Sequence, residues 1–384
     1  MKTIAKRDRM RAVLSGILPD RVPFFPTIYI DHACIACGEK FEDALIDPAL
    51  GQACMLGAAR RYQTDVVRFC MGPETSWYEE KRVVERDGRL VQLSRKTGEV
   101  EGYFDVQGGG ALSPFARPDP PRTVDDVRRI EVPSAREYLQ RGCLKDVAPL
   151  VEAAHEDGFF VVGLCSGQTL NSMVERMGGP EAALLLFYDN PKLACALIDK
   201  AVTISIEKGK AFIDVGVDCL FIGDSYTSAS VISPEIYERF CVPAYVQVTR
   251  EFHSRGVFCI KHCCGRYNPF LDALPTTGVD AMDGIDPTSG MTVAHTKERI
   301  GTEMTLMGGI SCLTLLNGTP EEVYEEAKQC VLAGKPGGRY ILGSGCAIPR
   351  YTPAENMMAA RRAAVEHGSY RENSVDEAAN RTTI

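Results

Sequence analysis

The sequence lacks several features that would reveal a function directly. It has no block of basic residues and carries a formal net charge of −8, which argues against nucleic acid as a partner. No apolar run approaches the roughly 18 to 20 residues that span a bilayer. The chain also has neither a Gly-x-x-x-x-Gly-Lys-Ser/Thr loop nor a Gly-x-Ser-x-Gly elbow. These absences argue against P-loop nucleotide chemistry and against the common serine-hydrolase site.

Signs of secretion are missing as well. The N-terminal stretch "MKTIAKRDRMRAVLSG" is basic and helical but has no apolar signal core and no small-residue cleavage site. The 15 cysteines are an odd number at irregular spacing, which does not resemble a disulfide framework. Most of them read as small buried hydrophobic residues. We therefore expect a cytoplasmic protein in a reducing, anaerobic type of interior, with no membrane partner.

The sequence does contain a regular alternation of short apolar runs and amphipathic helical segments. The helices have clear N-terminal caps, such as Thr319 and Thr352, each followed by proline. We predict an α/β fold, a (β/α)8 TIM barrel over residues 1–368 followed by a polar tail at 369–384, with a doubly wound open sheet as the alternative. The predicted strands are 22–30, 65–69, 159–164, 218–224, 257–262, 280–285, 303–310 and 339–345.

An insertion near the N-terminal third interrupts this alternation. Residues 82–107 alternate apolar and polar side chains and carry turn signals at Asp87-Gly88 and Thr97-Gly98. The glycine- and proline-rich stretch 108–123 reads as a loop that leads back to helical structure. We therefore predict an inserted β-meander, with the whole insertion at about 82–123.

The carboxyl ends of the predicted strands concentrate metal-binding side chains, and a parallel barrel gathers its chemistry at that end. The fifth strand ends in His262-Cys263-Cys264, and the eighth leads to Cys346. Successive side chains of an extended segment point to opposite faces, so His262 and Cys264 can share one face. One nitrogen and two sulfurs suit an open, catalytic zinc site. The predicted ligands are His262, Cys264 and Cys346, with Asp286 as a fourth.

Other interpretations of these residues stay open on the sequence alone. The "HCC" turn can be a buried thiol pair beside an unrelated histidine. After the first strand, His32, Cys34 and Cys37 can bind metal, form a redox pair, or lie on the packed face of a short helix. Asp224 can anchor a substrate or cap the following turn. Asp224 and Asp286 are our candidate catalytic carboxylates.

Three stretches resemble the uroporphyrinogen decarboxylase superfamily. The His-x-Cys-Gly and Gly-Ser-Gly-Cys elements are similar to its zinc-dependent, corrinoid-linked methyltransferase branch, which includes methylcobamide:coenzyme M methyltransferases. The resemblance implies a (β/α)8 barrel with zinc bound by His262, Cys264 and Cys346. It is carried by "LPDRVPFFP" (18–26), "KHCCGRYNPFLDAL" (261–274) with "GVDAMDGIDP" (278–287), and "ILGSGCAIPRYTPAEN" (341–356).

Two departures refine what the resemblance implies. Residues 22–59 contain no arginine, where the decarboxylase branch uses arginines for its polycarboxylate substrate. The chain also lacks the Asp-x-His-x-x-Gly element by which corrinoid proteins hold cobalamin. We therefore expect a corrinoid cofactor carried by a separate partner protein, which docks over the barrel rim.

The substrate is the least constrained part of the interpretation. Tyr29, Asp31, Trp77 and Tyr226 are candidate substrate-binding residues, and their convergence would suit a methoxylated aromatic donor and O-demethylation. The alternatives are transfer from methyl-corrinoid to a thiol or to tetrahydrofolate, a zinc-independent enzyme similar to uroporphyrinogen decarboxylase, and a binding barrel without catalysis.

Overall fold

A computed structural model describes residues 4–166 and 168–370. The strands of these residues form two sheets. Seven parallel strands lie side by side in chain order, β1 followed by β6 to β11, and four antiparallel strands, β2 to β5, form a second sheet. In chain order they are β1 (Val66–Phe69), β2 (Lys81–Arg86), β3 (Arg89–Ser94), β4 (Val100–Asp105), β5 (Ala111–Pro114), β6 (Phe160–Ser166), β7 (Cys219–Gly223), β8 (Phe258–His262), β9 (Ala281–Ile285), β10 (Thr305–Ile310) and β11 (Tyr340–Ser344).

An extended segment bridges the two edges of the parallel sheet. The Phe25 N–H donates to Leu342 O in β11, and the Asp65 N–H next to β1 donates to Phe24 O, both at 2.9 Å. The predicted first strand at 22–30 is therefore in the expected place, but it is not a regular strand. Pro23 and Pro26 have no N–H, so a continuous ladder cannot form here. With this segment between β11 and β1, the predicted barrel is confirmed.

The helices alternate with the strands of the barrel, as the sequence pattern predicts. A π-helical turn at Tyr237–Cys241 and short 3-10 turns at Asn268–Phe270, Pro275–Thr277 and Pro287–Ser289 add to them. The helices are α1 (Lys6–Leu14), α2 (Ile30–Cys37), α3 (Phe41–Ile46), α4 (Pro48–Tyr62), α5 (Thr75–Glu80), α6 (Val124–Arg129), α7 (Ala135–Gln140), α8 (Ala148–Glu156), α9 (Leu170–Met177), α10 (Pro180–Asp189), α11 (Pro191–Asp214), α12 (Pro234–Ile236), α13 (Val242–His253), α14 (Val293–Ile300), α15 (Cys312–Asn317), α16 (Pro320–Gly334) and α17 (Ala354–His367).

The barrel interior is filled by a layer of apolar side chains on alternate strand positions. Because side chains alternate along a strand, the residue two positions beyond an inward one also faces inward. Thus Arg68 follows Val66, and His262 follows Ile260, toward the carboxyl end of the barrel. The apolar layer includes Phe25, Val66, Phe160, Val162, Cys219, Phe221, Ile260, Ala281, Met307 and Ile341.

The inserted sheet contains one more strand than the sequence suggested. Asp87 and Gly88 have φ of 52° and 72°, as the predicted tight turn between β2 and β3 requires. Residues 111–114, predicted as loop, instead form β5 and pair with β4. The flanking glycines and prolines are typical of a loop, but the alternating Ala111–Pro114 segment pairs with the open edge of β4.

The polar tail predicted at 369–384 falls mostly outside the described residues, which end at 370. Ser369 forms an isolated antiparallel bridge with Arg21. Among the helices listed above, none is long and apolar enough to cross a membrane.

Candidate metal centre and substrate cavity

Two barrel strands bring one imidazole and two thiols together. His262 is the last residue of β8, Cys264 lies two residues later, and Cys346 lies two residues beyond the end of β11. His262 Nε2 is 2.5 Å from Cys264 Sγ and 3.6 Å from Cys346 Sγ, and the two sulfurs are 3.3 Å apart. These three residues form a group whose ligand atoms all lie within 4.8 Å of one another.

The donor set fits zinc. Tetrahedral bonds of about 2.0 Å to nitrogen and 2.3 Å to sulfur place neighbouring ligand atoms roughly 3.5 to 3.8 Å apart. Two of the three observed separations are close to this range, and the His262–Cys264 separation is shorter. One nitrogen and two soft sulfurs leave a fourth position for a substrate or a weak ligand, which is the arrangement of a catalytic site. The predicted ligands are thus brought together.

Asp283 orients the histidine. His262 and Asp283 are register partners on β8 and β9, and His262 Nδ1 lies 2.5 Å from Asp283 Oδ2. The carboxylate is fully buried. A metal-bound histidine usually donates its second N–H to such a carboxylate, which fixes the tautomer and turns the other nitrogen toward the metal. The sequence analysis gave Asp283 no role, although its place at a strand end beside His262 could have suggested one.

The charges around the site favour a cation. Burial lowers the pKa of His262, but Asp283 and Cys346 outweigh burial and raise that pKa to about 9. A hydrogen bond from Cys264, followed by the contact with His262, lowers the pKa of Cys346 to about 4. The same bond between the thiols raises the pKa of Cys264. The pair thus readily carries one thiolate, which is the form that binds metal.

Residues behind the metal-binding turn hold it in place. Cys263 points to the opposite face, as the strand alternation predicts, and its buried thiol lies 3.6 Å from Lys261 O. The buried Lys261 ammonium donates to His262 O and to Thr227 Oγ1, each at 3.2 Å. Cys263 is therefore a natural internal control for the two ligand thiols.

The two predicted catalytic carboxylates lie near the strand ends but have local partners. Asp286 Oδ1 accepts from Thr288 N at 2.9 Å and from Thr288 Oγ1 at 2.8 Å, and Asp286 is not part of the three-residue ligand group. Asp224 accepts from Thr169 N and Asn171 N, both at 2.8 Å, at the start of α9. It also accepts from Tyr245 OH at 3.0 Å. The Asp224 side chain thus caps the start of α9, an earlier helix, rather than the turn that follows Asp224.

The competing group after the first strand is not arranged around a common point. His32 lies in α2, where its ring contacts Arg350 O at 3.0 Å and Tyr62 OH at 3.1 Å. Cys34 is buried, and the Cys37 thiol donates to Cys54 O at 3.5 Å. Burial raises the pKa of each of these two thiols to about 11, which disfavours the thiolate. The interpretation as a short helix suits these contacts, with Cys34 on the packed face and Cys37 at the exposed end of α2.

A cavity of about 670 Å³ lies beside the metal centre. Three of the four predicted substrate-binding residues, Tyr29, Asp31 and Trp77, line it, and so does Ala347, which directly follows Cys346. Trp77 Nε1 donates to Gln92 Oε1 in β3 at 3.0 Å. Tyr226 instead lines a separate cavity of about 470 Å³. Phe104 and Leu112 of the inserted sheet complete an apolar wall.

Comparison with known proteins gives one family and two kinds of relative. Residues 113–367 match the family model described as uroporphyrinogen decarboxylase (URO-D). A methylated-thiol–coenzyme M methyltransferase of Methanosarcina mazei is 30% identical over 189 residues, which cover 49% of this chain and 48% of that protein. A uroporphyrinogen decarboxylase of Chlorobium luteolum is 25% identical over 321 residues, covering 77% of this chain and 85% of that protein.

The fold also matches a solved structure. A methyltransferase from Methanosarcina mazei superposes with a TM-score of 0.72 at 22% identity, covering 94% of this chain and 99% of that chain. At this identity the likeness shows the fold alone. The chain spans about half the length of the curated methyltransferase relatives that it matches, 48% for the first and 48% for a methylcobamide:CoM methyltransferase of Methanosarcina acetivorans.

Proposed function

The chain belongs to the uroporphyrinogen decarboxylase family, and we propose that within this family it is a zinc-dependent methyltransferase. In this proposal it moves a methyl group between a small methylated compound and the cobalt of a separate corrinoid protein. The relatives that carry methyltransferase names support this direction within the family. The resemblance of the sequence motifs to the methyltransferase branch agrees with these relatives.

The observation that carries the proposal is the His262–Cys264–Cys346 group with Asp283 behind it. A structural zinc site is closed by four protein ligands, whereas this group offers three. When bound, zinc supplies Lewis acidity that activates either a thiol acceptor or the heteroatom of a methyl donor. The chain's own residues hold the ion, fix the imidazole tautomer through Asp283, and confine the substrate.

The cavity supports a small aromatic or apolar methyl donor. Trp77, Phe104 and Leu112 give it an apolar wall on the side of the inserted sheet. Methyl transfer is an in-line displacement, so its rate depends on how well the methyl carbon and the incoming atom are aligned. The cavity next to Ala347 would supply that alignment for a methoxylated aromatic, and we favour demethylation for this reason. Transfer to a thiol or to tetrahydrofolate would use the same metal centre in the opposite direction.

Uroporphyrinogen decarboxylation is the second candidate, because relatives of that name cover much of the chain. The lining of the 670 Å³ cavity argues against it, since this lining contains no lysine or arginine. A polycarboxylate substrate would leave most of its charges without a cationic partner there. A decarboxylase-like activity would also leave the adjacent thiols of Cys264 and Cys346 without a function.

Metal analysis tests the first half of the proposal. Purified wild-type protein, prepared anaerobically, should contain about one zinc per chain, whereas Cys264→Ser and Cys346→Ser should lose most of it. Cys263→Ser is the matched control: it changes the neighbouring thiol, which faces away from the group, and should keep its zinc. Zinc loss in the control, or retention in both ligand variants, would contradict the assigned ligands.

Methyl transfer tests the second half. The zinc-loaded chain is mixed with a corrinoid protein reduced to cobalt(I) and with a series of methoxylated aromatics. The visible spectrum should change from that of cobalt(I) to that of methyl-cobalt(III), with release of one phenol per methyl group. A zinc-loaded protein that transfers no methyl group in either direction, with thiol and tetrahydrofolate acceptors included, would refute the proposal.

A further inference from the structure

A buried arginine beside the cavity has most of its hydrogen-bonding capacity unused. Arg68, at 2% exposure, projects from β1 toward the barrel interior. Its Nη2 donates to Ile28 O at 2.6 Å, and the guanidinium lies 4.1 Å from the centre of the Tyr29 ring and 4.8 Å from that of Phe221. Its Nε and Nη1 are buried and have no partner in the part of the chain that the structure describes. Thr27 Oγ1, one residue before Ile28, is likewise buried without a partner.

No carboxylate of residues 4–166 and 168–370 forms an ion pair with Arg68. The nearby acids have other partners: Asp283 contacts His262 through Oδ2, Asp31 pairs with Arg350 at 3.4 Å, and Asp286 accepts from Thr288. Asp283 Oδ1 is buried and has no hydrogen-bond partner among the described residues. A guanidinium stays charged under all physiological conditions. Burying such a charge without a counter-ion is strongly unfavourable, so a partner of opposite charge is expected when the protein works.

We propose that Arg68 is the binding residue for a carboxylate on the methylated substrate, so that the substrate is a methoxylated aromatic acid. This inference rests on the proposed function and adds the charge of the compound to it. Nε and Nη1 lie on either side of Nη2, and each can donate a charged hydrogen bond to an oxygen of a carboxylate. The hydroxyl of Thr27 offers a third donor on the adjoining segment.

Tyr29 links this subsite to the cavity. It lines the cavity, and its ring lies on the face of the Arg68 guanidinium. Its hydroxyl makes no hydrogen bond within the described part of the chain, so the ring is held by packing and by its contact with the Arg68 guanidinium. In the proposal, the Tyr29 side chain rotates so that the substrate carboxylate reaches Arg68 from the cavity. Cys70, two residues after Arg68, also lines the cavity and marks the same region of the floor.

Ligand binding without methyl transfer provides the test. Trp77 is the only tryptophan and lines the cavity, so its fluorescence reports occupancy. Zinc-loaded protein is titrated with 4-methoxybenzoate and with 4-methoxybenzamide, which has the same shape but no charge. Wild type should bind the benzoate roughly 10 to 100 times more tightly, as charged hydrogen bonds provide. Arg68→Met should remove that preference and leave amide binding nearly unchanged, while Arg136→Met, on an exposed position of α7, should bind like wild type.

Several outcomes would overturn the inference. These are equal binding of the two probes by wild type, no binding of either, or an equal loss of both in Arg68→Met. Thermal unfolding of the ligand-free variants adds a second readout, because an unpaired buried charge replaced by methionine should leave the midpoint unchanged or higher. A large drop would show that the fold itself satisfies the guanidinium. Because the titration needs no corrinoid protein, a failure of methyl transfer leaves its result intact.

Discussion

Removal of the Asp283 carboxylate should weaken zinc binding without touching a ligand. The buried carboxylate accepts the Nδ1 proton of His262 at 2.5 Å and so fixes which nitrogen faces the thiols. Outer-shell partners of this kind contribute about 10- to 100-fold to metal affinity, equivalent to roughly 1.4 to 2.8 kcal/mol at 1.4 kcal/mol per factor of ten. Asp283→Asn keeps an acceptor but loses the charge, so we expect the lower figure. Asp283→Ala leaves the N–H without an acceptor, so we expect the higher one.

The assay is competition for zinc against a chromophoric chelator under anaerobic, reducing conditions. Cobalt(II) substitution adds a spectrum whose visible bands report the ligand geometry directly. Asp286→Asn is the matched control, since Asp286 lies three positions further along the chain and its Oδ1 binds Thr288 rather than His262. This control also tests the predicted fourth ligand, because loss of zinc in Asp286→Asn would assign that carboxylate to the metal.

The rank order of zinc affinities among these variants tests the role derived for Asp283. Affinity should fall from wild type to Asp283→Asn and again to Asp283→Ala, with Asp286→Asn near wild type. An Asp283→Ala protein that binds zinc as tightly as wild type, with an unchanged cobalt spectrum, would show that the second nitrogen of His262 needs no orienting acceptor. The role derived for Asp283 would then be wrong, although the ligand set itself would stand.

Three further predictions concern residues around the site and the barrel base. Asp224→Ala removes the acceptor for two backbone N–H groups at the start of α9. Urea titration should show a free energy of unfolding lower by about 2 kcal/mol, with zinc content at the wild-type level. Zinc loss in a folded variant would contradict a purely capping role. Asp218→Asn should lower stability at pH 7 by about 1–3 kcal/mol, because the Asp218 carboxylate accepts from Val161 N and pairs with Arg7 and Arg11. These contacts outweigh burial and lower the pKa of Asp218. The stabilising effect of the carboxylate is therefore complete above its unfolded-state pKa of about 3.9 and is lost as pH falls through the lower native-state pKa. The stabilities of wild type and variant should therefore converge in acid unfolding curves. Gly284→Ala should both destabilise the protein and weaken zinc binding. Gly284 has a φ of 106°, and a Cβ there would lie 2.9 Å from Cys263 O and push the neighbouring turn away. Normal zinc affinity in this variant would show that the turn at Cys263 tolerates this displacement.

The positions of the three candidate metal ligands were predictable because two simple rules act on them. Parallel strands of a barrel deliver their carboxyl ends to one rim, and strand alternation puts His262 and Cys264 on one face with Cys263 opposite. Both rules depend only on sequence position, and the structure places these residues accordingly. The same rules apply to Asp283, which is the register partner of His262. Its role escaped the sequence analysis because register between strands depends on the three-dimensional sheet.

Local capping chemistry was predictable in one helix and not in another. Thr319 caps α16 with the predicted capping box to Glu322. Thr352 has a similar sequence context, but α17 begins at Ala354 with Pro353 at its cap position and no side-chain cap. The Thr352 hydroxyl is buried without a partner among the described residues. Packing of the preceding segment, from Cys346 onward, determines where this helix starts, and packing is not encoded in a four-residue motif.

The substrate cavity was the hardest part to predict, because its wall comes from segments that are distant in sequence. Tyr29 comes from the end of the first extended segment, Asp31 from α2, Trp77 from α5, and Phe104 and Leu112 from the inserted sheet. Tyr226 was predicted to lie with them, but it lines another cavity. Aromatic residues near strand ends can be listed from the sequence as candidates for a cavity wall. Which of them line the same cavity depends on how the inserted sheet packs against the barrel.

The origin of the two parts of the site has a chemical consequence. The candidate metal ligands lie at or just after the ends of β8 and β11, strands of the parallel barrel, whereas Gln92, Phe104 and Leu112 of the cavity wall lie on the inserted sheet. In the proposed function, zinc binding would depend on the register of the barrel strands, and substrate choice would depend on the inserted sheet, which is a separate sheet. Arg68 belongs to the barrel and lies on its inner face, below the cavity. In this proposal the barrel, through Arg68, would require a negative charge on the substrate, and the inserted sheet would limit its shape. Together they would select an acid of limited size, and the inserted sheet would determine which positions of its methoxy groups are accepted.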